Sequence, residues 1–299
     1  MSKTPPKTAA DFDPAVWPIF DQYVHGQIDR RGFLKAAARY AAGFAGAAGL
    51  LAALNPKFAA AQKIAPNDGR LKAEYIQFDS PKGYGKGRGY LVRPLAAEGA
   101  LPVVLVVHEN RGLNPHIEDV TRRIALENFI AFAPDALIPL GGYPGDEDKA
   151  REKFATLDQE KTRQDFIAAA GMLQKVEGGN ARLGVTGFCY GGGMSNFLAT
   201  QLPELSVAVP YYGQAAPLED VAKIKAEIQL HFAETDDRVN ATWPPYEAAL
   251  KEAGVKYEAF HYPGTQHGFN NDTTPRYDEA AAKQAWGRTI AIFNRKLRD

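Results

Sequence analysis

The residues best suited to chemistry in this chain are Cys189, Asp236 and His267, in that order along the sequence. Cys189 lies within Thr186-Gly187-Phe188-Cys189-Tyr190-Gly191-Gly192-Gly193. An apolar run, Leu183 to Val185, enters a tight turn at the cysteine, and helical spacing is expected from Met194 to Leu202. A glycine two residues to either side is the nucleophile-elbow pattern, with sulfur where oxygen is usual. The turn must push its central side chain out above a sheet, and side chains beside it would collide with the adjoining strand and helix. A cysteine there also sits near a helix N-terminus, whose partial positive charge favours thiolate over thiol. An inert buried thiol needs no such turn. The glycines also fit a nucleotide-binding turn of short-chain dehydrogenase type. That chemistry needs a Tyr-x-x-x-Lys pair, which the sequence lacks, and a turn near the N-terminus.

An elbow nucleophile takes its acid and its histidine from later in the chain. Asp236 and Asp237 follow the apolar run Ile228 to Phe232, and Asp236 is favoured as the acid that orients the imidazole. His267, in a glycine-containing loop after the last apolar run, is the expected base, whereas His231 and His261 fall within apolar strand patterns. Upstream, Val103 to Val107 leads into His108-Glu109-Asn110-Arg111-Gly112. The backbone N–H groups of Asn110 and Tyr190 are the expected oxyanion donors, which places Glu109 close to Cys189. The spacing of His108, Glu109 and His116 is not that of a zinc motif, so no metal site is expected. No cofactor is expected either.

These residues need a scaffold, and the chain offers one. From Leu71 onward strand-type and helix-type runs alternate, which predicts an α/β fold with a mostly parallel sheet covered on both faces. Strands are expected at 73–78, 89–93, 103–107, 130–133, 183–186, 207–211, 228–232 and 257–262, the first two as an antiparallel pair. Helices are expected at 117–128, 147–176, 194–202, 243–253 and 278–296. The 299 residues suit one large domain plus an appendage. Lysine plus arginine and aspartate plus glutamate each number 35, which gives no support for a nucleic-acid partner. The single cysteine excludes an internal disulfide and a multi-cysteine zinc site. Hydrophobic residues make up 45%, enough for a sizeable core.

Residues 1–66 differ in composition from the domain expected at 67–299. Arg30-Arg31 precedes an Ala/Gly-rich apolar run from Ala36 to Leu54, and Ala59-Ala60-Ala61 offers a cleavage site. The order resembles a twin-arginine export signal, implying export machinery as a partner and a periplasmic or secreted location. Apolar spacing at Val16, Phe20, Val24 and Ile28 instead suits an amphipathic helix in a retained arm, which would pack on the body or on a second copy in a homo-oligomer, with a cytoplasmic location.

Gly187-Phe188-Cys189-Tyr190-Gly191-Gly192, Asp236-x-x-Val239, His267-Gly268-Phe269 and His108-Glu109-Asn110-Arg111-Gly112-Leu113-Asn114 together resemble the dienelactone hydrolase family from about Leu71 to the C-terminus. The leader's Tyr23 to Arg31 stretch is similar to one found in a subgroup of that family. The resemblance implies an α/β-hydrolase fold and a Cys189, His267, Asp236 triad that cleaves esters or lactones through an acyl thioester. It also implies that Glu109 holds the resting thiol. Members acting on dienelactone carry arginines after the Pro-Asp of the fourth strand and after the His-x-Phe motif. Here Ala136 to Pro139 and Asn270-Asn271 stand there instead. Arg111 or Arg276 could substitute, and Leu137, Tyr143, Tyr190, Tyr212 and Phe269 are expected to line an aromatic, mostly apolar cleft for a small ester or lactone. A non-catalytic module and a thiol redox protein are the other classes weighed. Loss of all turnover in Cys189→Ala would oppose the first, and loss of peroxide reactivity in His267→Ala would oppose the second.

Overall fold

The computed structural model describes residues 7–298. Its centre is an eight-stranded sheet of order β1-β2-β4-β3-β5-β6-β7-β8. The strands are β1 (Leu71–Ser80), β2 (Gly85–Pro94), β3 (Leu101–Val107), β4 (Ile130–Pro134), β5 (Gly179–Phe188), β6 (Leu205–Tyr211), β7 (Glu227–Thr235) and β8 (Tyr257–Gln266). β2 pairs antiparallel with β1 and β4, and the other pairings are parallel. Each expected strand is present, and so is the antiparallel hairpin.

The sheet is buried on both faces. All seven residues of β3 are buried, and its alternation divides them: Val103, Leu105 and Val107 join one core, Val104 and Val106 the other. The first core is closed by α6 (Glu147–Ala155), α7 (Gln159–Leu173), α8 (Tyr190–Gln201) and α10 (Trp243–Glu252), through residues such as Phe166, Leu198 and Leu250. The second is closed by α5 (Pro115–Leu126) and α11 (Glu279–Leu297), through Ile117, Val120, Ile292 and Phe293. A single turn, α9 (Asp237–Asn240), follows β7.

Two helix expectations need correction. The segment 147–176 is two helices, because the side chain of Asp158 accepts from the N–H groups of Glu160 and Lys161 and starts a new helix there. α8 begins at Tyr190, immediately after the cysteine, so Gly191 to Gly193 lie inside it.

Ahead of the sheet lies a folded arm with α1 (Val16–Val24), α2 (Arg30–Ala37), α3 (Gly46–Leu54) and α4 (Phe58–Ala61). Val16, Phe20, Tyr23, Phe33, Leu50 and Leu54 form a third core, with the Tyr23 and Phe33 rings 5.3 Å apart. Asp29 caps α2 by accepting the Gly32 N–H at 2.7 Å. The arm is tied to the body at its far end, where the Asp119 carboxylate accepts the Ile64 N–H at 2.8 Å and Arg122 donates to the Ile64 carbonyl at 3.0 Å. No described helix is long and apolar enough to cross a membrane.

Candidate active site

The loops that follow β3, β5, β6, β7 and β8 meet at the carboxyl edge of the sheet, where open α/β folds bind ligands. Cys189 occupies the turn between β5 and α8 at φ 56° and ψ −111°, a backbone region that L-residues seldom adopt. The reason for the flanking glycines is visible. A Cβ on Gly187 would stand 2.2 Å from the Gly191 carbonyl oxygen, and a Cβ on Gly191 would stand 2.2 Å from the Val107 carbonyl oxygen. Gly191→Ala is therefore expected to cost about 3 kcal/mol of stability, the upper range for overpacking against backbone that cannot yield. Urea unfolding monitored by circular dichroism reads this directly, and an unchanged midpoint would contradict the steric account.

His267, in the loop after β8, is buried, and its Nδ1 lies 2.5 Å from Asp236 Oδ2. Nδ1 thus donates to the carboxylate and Nε2 is the free nitrogen. Nε2 has no hydrogen-bond partner, and a ring nitrogen of His267 lies within 4.8 Å of the Cys189 sulfur. Burial pushes the Cys189 thiol up, but the neighbouring His267 and His25 imidazoles outweigh it and hold it down to about 5. Burial likewise disfavours charge on His267, yet the Cys189 sulfur and Asp236 raise it to about 10. Both shifts favour a thiolate beside an imidazolium in this pair.

Tyr190 is the first residue of α8, so its N–H has no acceptor within the helix and is available beside Cys189. Asn110 lines the same cleft. His108 fixes the loop that carries it. Its Nε2 accepts the Ala136 N–H at 3.1 Å and its Nδ1 faces the Glu109 carbonyl at 2.6 Å, a neutral tautomer that burial favours. His116 faces Asp272 at 3.3 Å, apart from His108. Burial holds His231 down to about 3, and its Nδ1 lies 2.8 Å from the Tyr262 hydroxyl.

Glu109, Arg111 and Arg276 border a second, smaller cavity with Cys189 and His267, but each is also held by other groups. The Glu109 carboxylate accepts from Asn271 Nδ2 at 3.0 Å and makes no hydrogen bond to Cys189. Arg111 is buried and donates to the Val24 carbonyl of the arm at 3.2 Å, with Glu147 3.7 Å away. Arg276 lies over the Phe20 ring and 3.7 Å from Asp21, again holding the arm. Leu137 and Phe269 are fully buried core residues. Tyr143 donates to Glu147 at 2.8 Å. Tyr212 is buried beneath His267, with ring centroids 5.0 Å apart.

Of that expected lining set, Tyr190 alone borders the cleft of about 410 Å³ that opens beside Cys189. Phe154, Met194, Phe197, Ala215 and Pro217 supply its apolar wall, and Arg151, Arg163 and Arg238 supply cations. The arm completes it with His25 and Gly26. His25 was not singled out in the sequence. Its signal is a histidine followed by glycine at the end of an amphipathic helix, which marks a turn but not its destination.

Comparison with known proteins agrees with this architecture. A family profile described as "Dienelactone hydrolase family" matches residues 88–297, and one described as "YqhI-like" matches residues 4–42. A candidate carboxymethylenebutenolidase of Salmonella typhi is 32% identical over 219 residues, 68% of this chain and 81% of its own length. A candidate hydrolase fragment of Escherichia coli, YghX, is 53% identical over 105 residues, 35% of this chain and 90% of its own. The crystal structure of a candidate dienelactone hydrolase from Klebsiella pneumoniae superposes with a TM-score of 0.66 at 28% identity, covering 74% of this chain and 98% of that one. With an eight-stranded α/β sheet, a nucleophile elbow and a family match over most of its length, this chain belongs to the dienelactone hydrolase family.

Proposed function

We propose that the chain hydrolyses carboxylic esters or lactones through a Cys189, His267, Asp236 triad. The observation that carries this reading is the His267 ring, anchored at Nδ1 by Asp236 and free at Nε2 beside the elbow sulfur. The thiolate attacks the carbonyl carbon and the N–H groups of Asn110 and Tyr190 hold the oxyanion. His267 gives its proton to the departing alkoxide, leaving an acyl thioester. It then takes a proton from the water that attacks the thioester, and returns it to the sulfur as the acid leaves. Release of p-nitrophenol from p-nitrophenyl acetate, and ring opening of simple lactones, test the reading. A folded parent protein that accelerates neither would contradict it.

The cleft supports a narrower reading of the substrate. Arginines are absent after Pro134-Asp135 and after Phe269, and Arg151 is taken by the Tyr23 carbonyl of the arm, but Arg163 and Arg238 bring positive charge to the apolar pocket from α7 and α9. We infer a preference for esters that carry a carboxylate on the acyl side. A monoester of a short dicarboxylic acid is expected to show KM roughly tenfold below its uncharged methyl analogue, since one well-placed charge contact contributes about 1.5 kcal/mol. Arg163→Ala should erase most of that difference. Equal KM values for the two substrates in the parent would contradict it.

We also propose that the arm is retained, because its buried aromatic core and the hydrogen bonds that Tyr23 and Val24 make to the body would be lost by cleavage after Ala61. Export is the second reading, favoured by Arg30-Arg31 and the apolar run behind them. N-terminal sequencing of protein isolated from its native cells decides. A form beginning at Gln62 would overturn retention.

A further inference from the structure

The sulfur of Cys189 makes its hydrogen bond outside the expected triad. His25 Nε2, at the end of α1 in the arm, lies 3.5 Å from Sγ. The ring is oriented as His267 is. Its Nδ1 faces only acceptors, the Asp21 carbonyl at 2.8 Å and the Asp21 carboxylate at 3.3 Å, so Nδ1 carries a proton and Nε2 is turned to the sulfur. Two Asp–His pairs, Asp236–His267 from the body and Asp21–His25 from the arm, thus converge on one cysteine, with ring centroids 5.0 Å apart.

The segment that carries His25 is held in place by the body. The Val24 carbonyl accepts from Asn110 Nδ2 at 2.9 Å and from Arg111, and the Tyr23 carbonyl accepts from Arg151 at 2.5 Å. Asp148 takes the Tyr23 hydroxyl, and Arg276 faces Asp21. Gly26, at φ 74°, then turns the chain away from the cleft. A passive leader has no need of a histidine fixed at its ring nitrogens and seated on a nucleophile.

Resting on the thioester reading above, we propose that His25 is a second catalytic histidine, supplied by the arm, that holds the resting sulfur of Cys189 as a thiolate and closes one side of the acyl pocket. His267 takes its proton from solvent, and the proton of the Cys189 S–H passes to His25 Nε2. The S–H bond breaks, the N–H bond forms, and a thiolate–imidazolium pair results. Arg238 donates to the same Nε2 at 2.8 Å while the ring is neutral, and protonation frees it for the cleft it lines. His25 therefore fills the role expected of Glu109, whose carboxylate is taken by Asn271. Burial opposes charge on His25, but the sulfur and Asp21 outweigh it and raise its affinity for a proton.

Around the sulfur stand His25 and Asp21 of α1, His267 and Asp236 beyond β8 and β7, Arg238 of α9, Glu109 and Arg111 after β3, and Tyr212 after β6; Arg276 faces Asp21 in turn. The chain holds one cysteine, so its alkylation rate by iodoacetamide against pH reports on this sulfur alone. In the full-length parent the rate should rise with an inflection near 5. In His25→Ala the inflection should move up by roughly one to two pH units, slowing alkylation at pH 6 by about tenfold. His25→Gln fills similar space but cannot take up a proton, and it should give the same shift. Profiles that superimpose on the parent in both variants would overturn the proposal, as would a shift in the alanine variant alone, which would make His25 a packing residue. Alkylation needs no turnover, so this result stands apart from whether the sulfur forms an acyl enzyme.

Discussion

Cys189→Ala is expected to abolish ester hydrolysis, with kcat reduced on the order of a millionfold, while the protein keeps its fold and melting temperature. The loss is large because the elbow presents one atom. The strained turn lifts the side chain at 189 above the sheet, and the nearest bases, His25 and His267, are aimed at the sulfur that would be missing. The fold survives because the side chain is small and only partly buried, so truncation to alanine removes a single sulfur atom from the edge of the core. Cys189→Ser should be nearly as inactive. A hydroxyl in the same place is not ionised by two imidazoles that suffice for a thiol. Circular dichroism with initial rates on p-nitrophenyl acetate checks both variants, and retention of a tenth of the parent rate by Cys189→Ala would rule out the sulfur as nucleophile.

The next largest effect is expected at the acid. Asp236→Asn should lower kcat by about ten-thousandfold, because an amide can donate to Nδ1 and so stabilises the wrong tautomer of His267. His267→Ala should match it, and the double variant should be no worse than either, since the two act as one unit. The pH dependence of kcat/KM is a further reading of the same pair. Below about 5 the sulfur takes up a proton and attack is lost, and above about 10 His267 gives up the proton that the leaving group needs. A broad plateau between those limbs is expected in the parent. A single ascending limb near neutral pH would instead indicate a neutral thiol attacked by an ordinary histidine base.

Much of this site was legible in the sequence because local sterics leave a clear trace. Gly187 and Gly191 are required by contacts with Gly191 and Val107 backbone that any side chain would violate, so the elbow is encoded within five residues. The strands were equally plain, since β3, β4 and β6 are short apolar runs between turn signals. What sequence pattern could not convey was which polar groups meet across long separations. Arg111 and Arg276 look like substrate ligands until the arm is seen taking both. Leu137, Tyr212 and Phe269 lie near the candidate site's residues in the fold or in the chain, yet their side chains are buried in the core. The helix expected at 147–176 breaks at Asp158 because a cap outweighs a continuous helical pattern. His25 lies 164 residues from Cys189 in sequence, and the polar contacts that seat Tyr23 and Val24 of the arm on Arg151, Asn110 and Arg111 bring the two together.

The triad account can be tested most directly by intact-protein mass spectrometry during turnover of p-nitrophenyl acetate. The account predicts a parent protein that gains the mass of one acetyl group on Cys189 in the first turnovers and loses it as substrate is exhausted. Cys189→Ala should stay unmodified, and His267→Ala should acylate slowly and clear more slowly still. Turnover by the parent with no adduct at Cys189, or an adduct of equal lifetime in parent and His267→Ala, would contradict it.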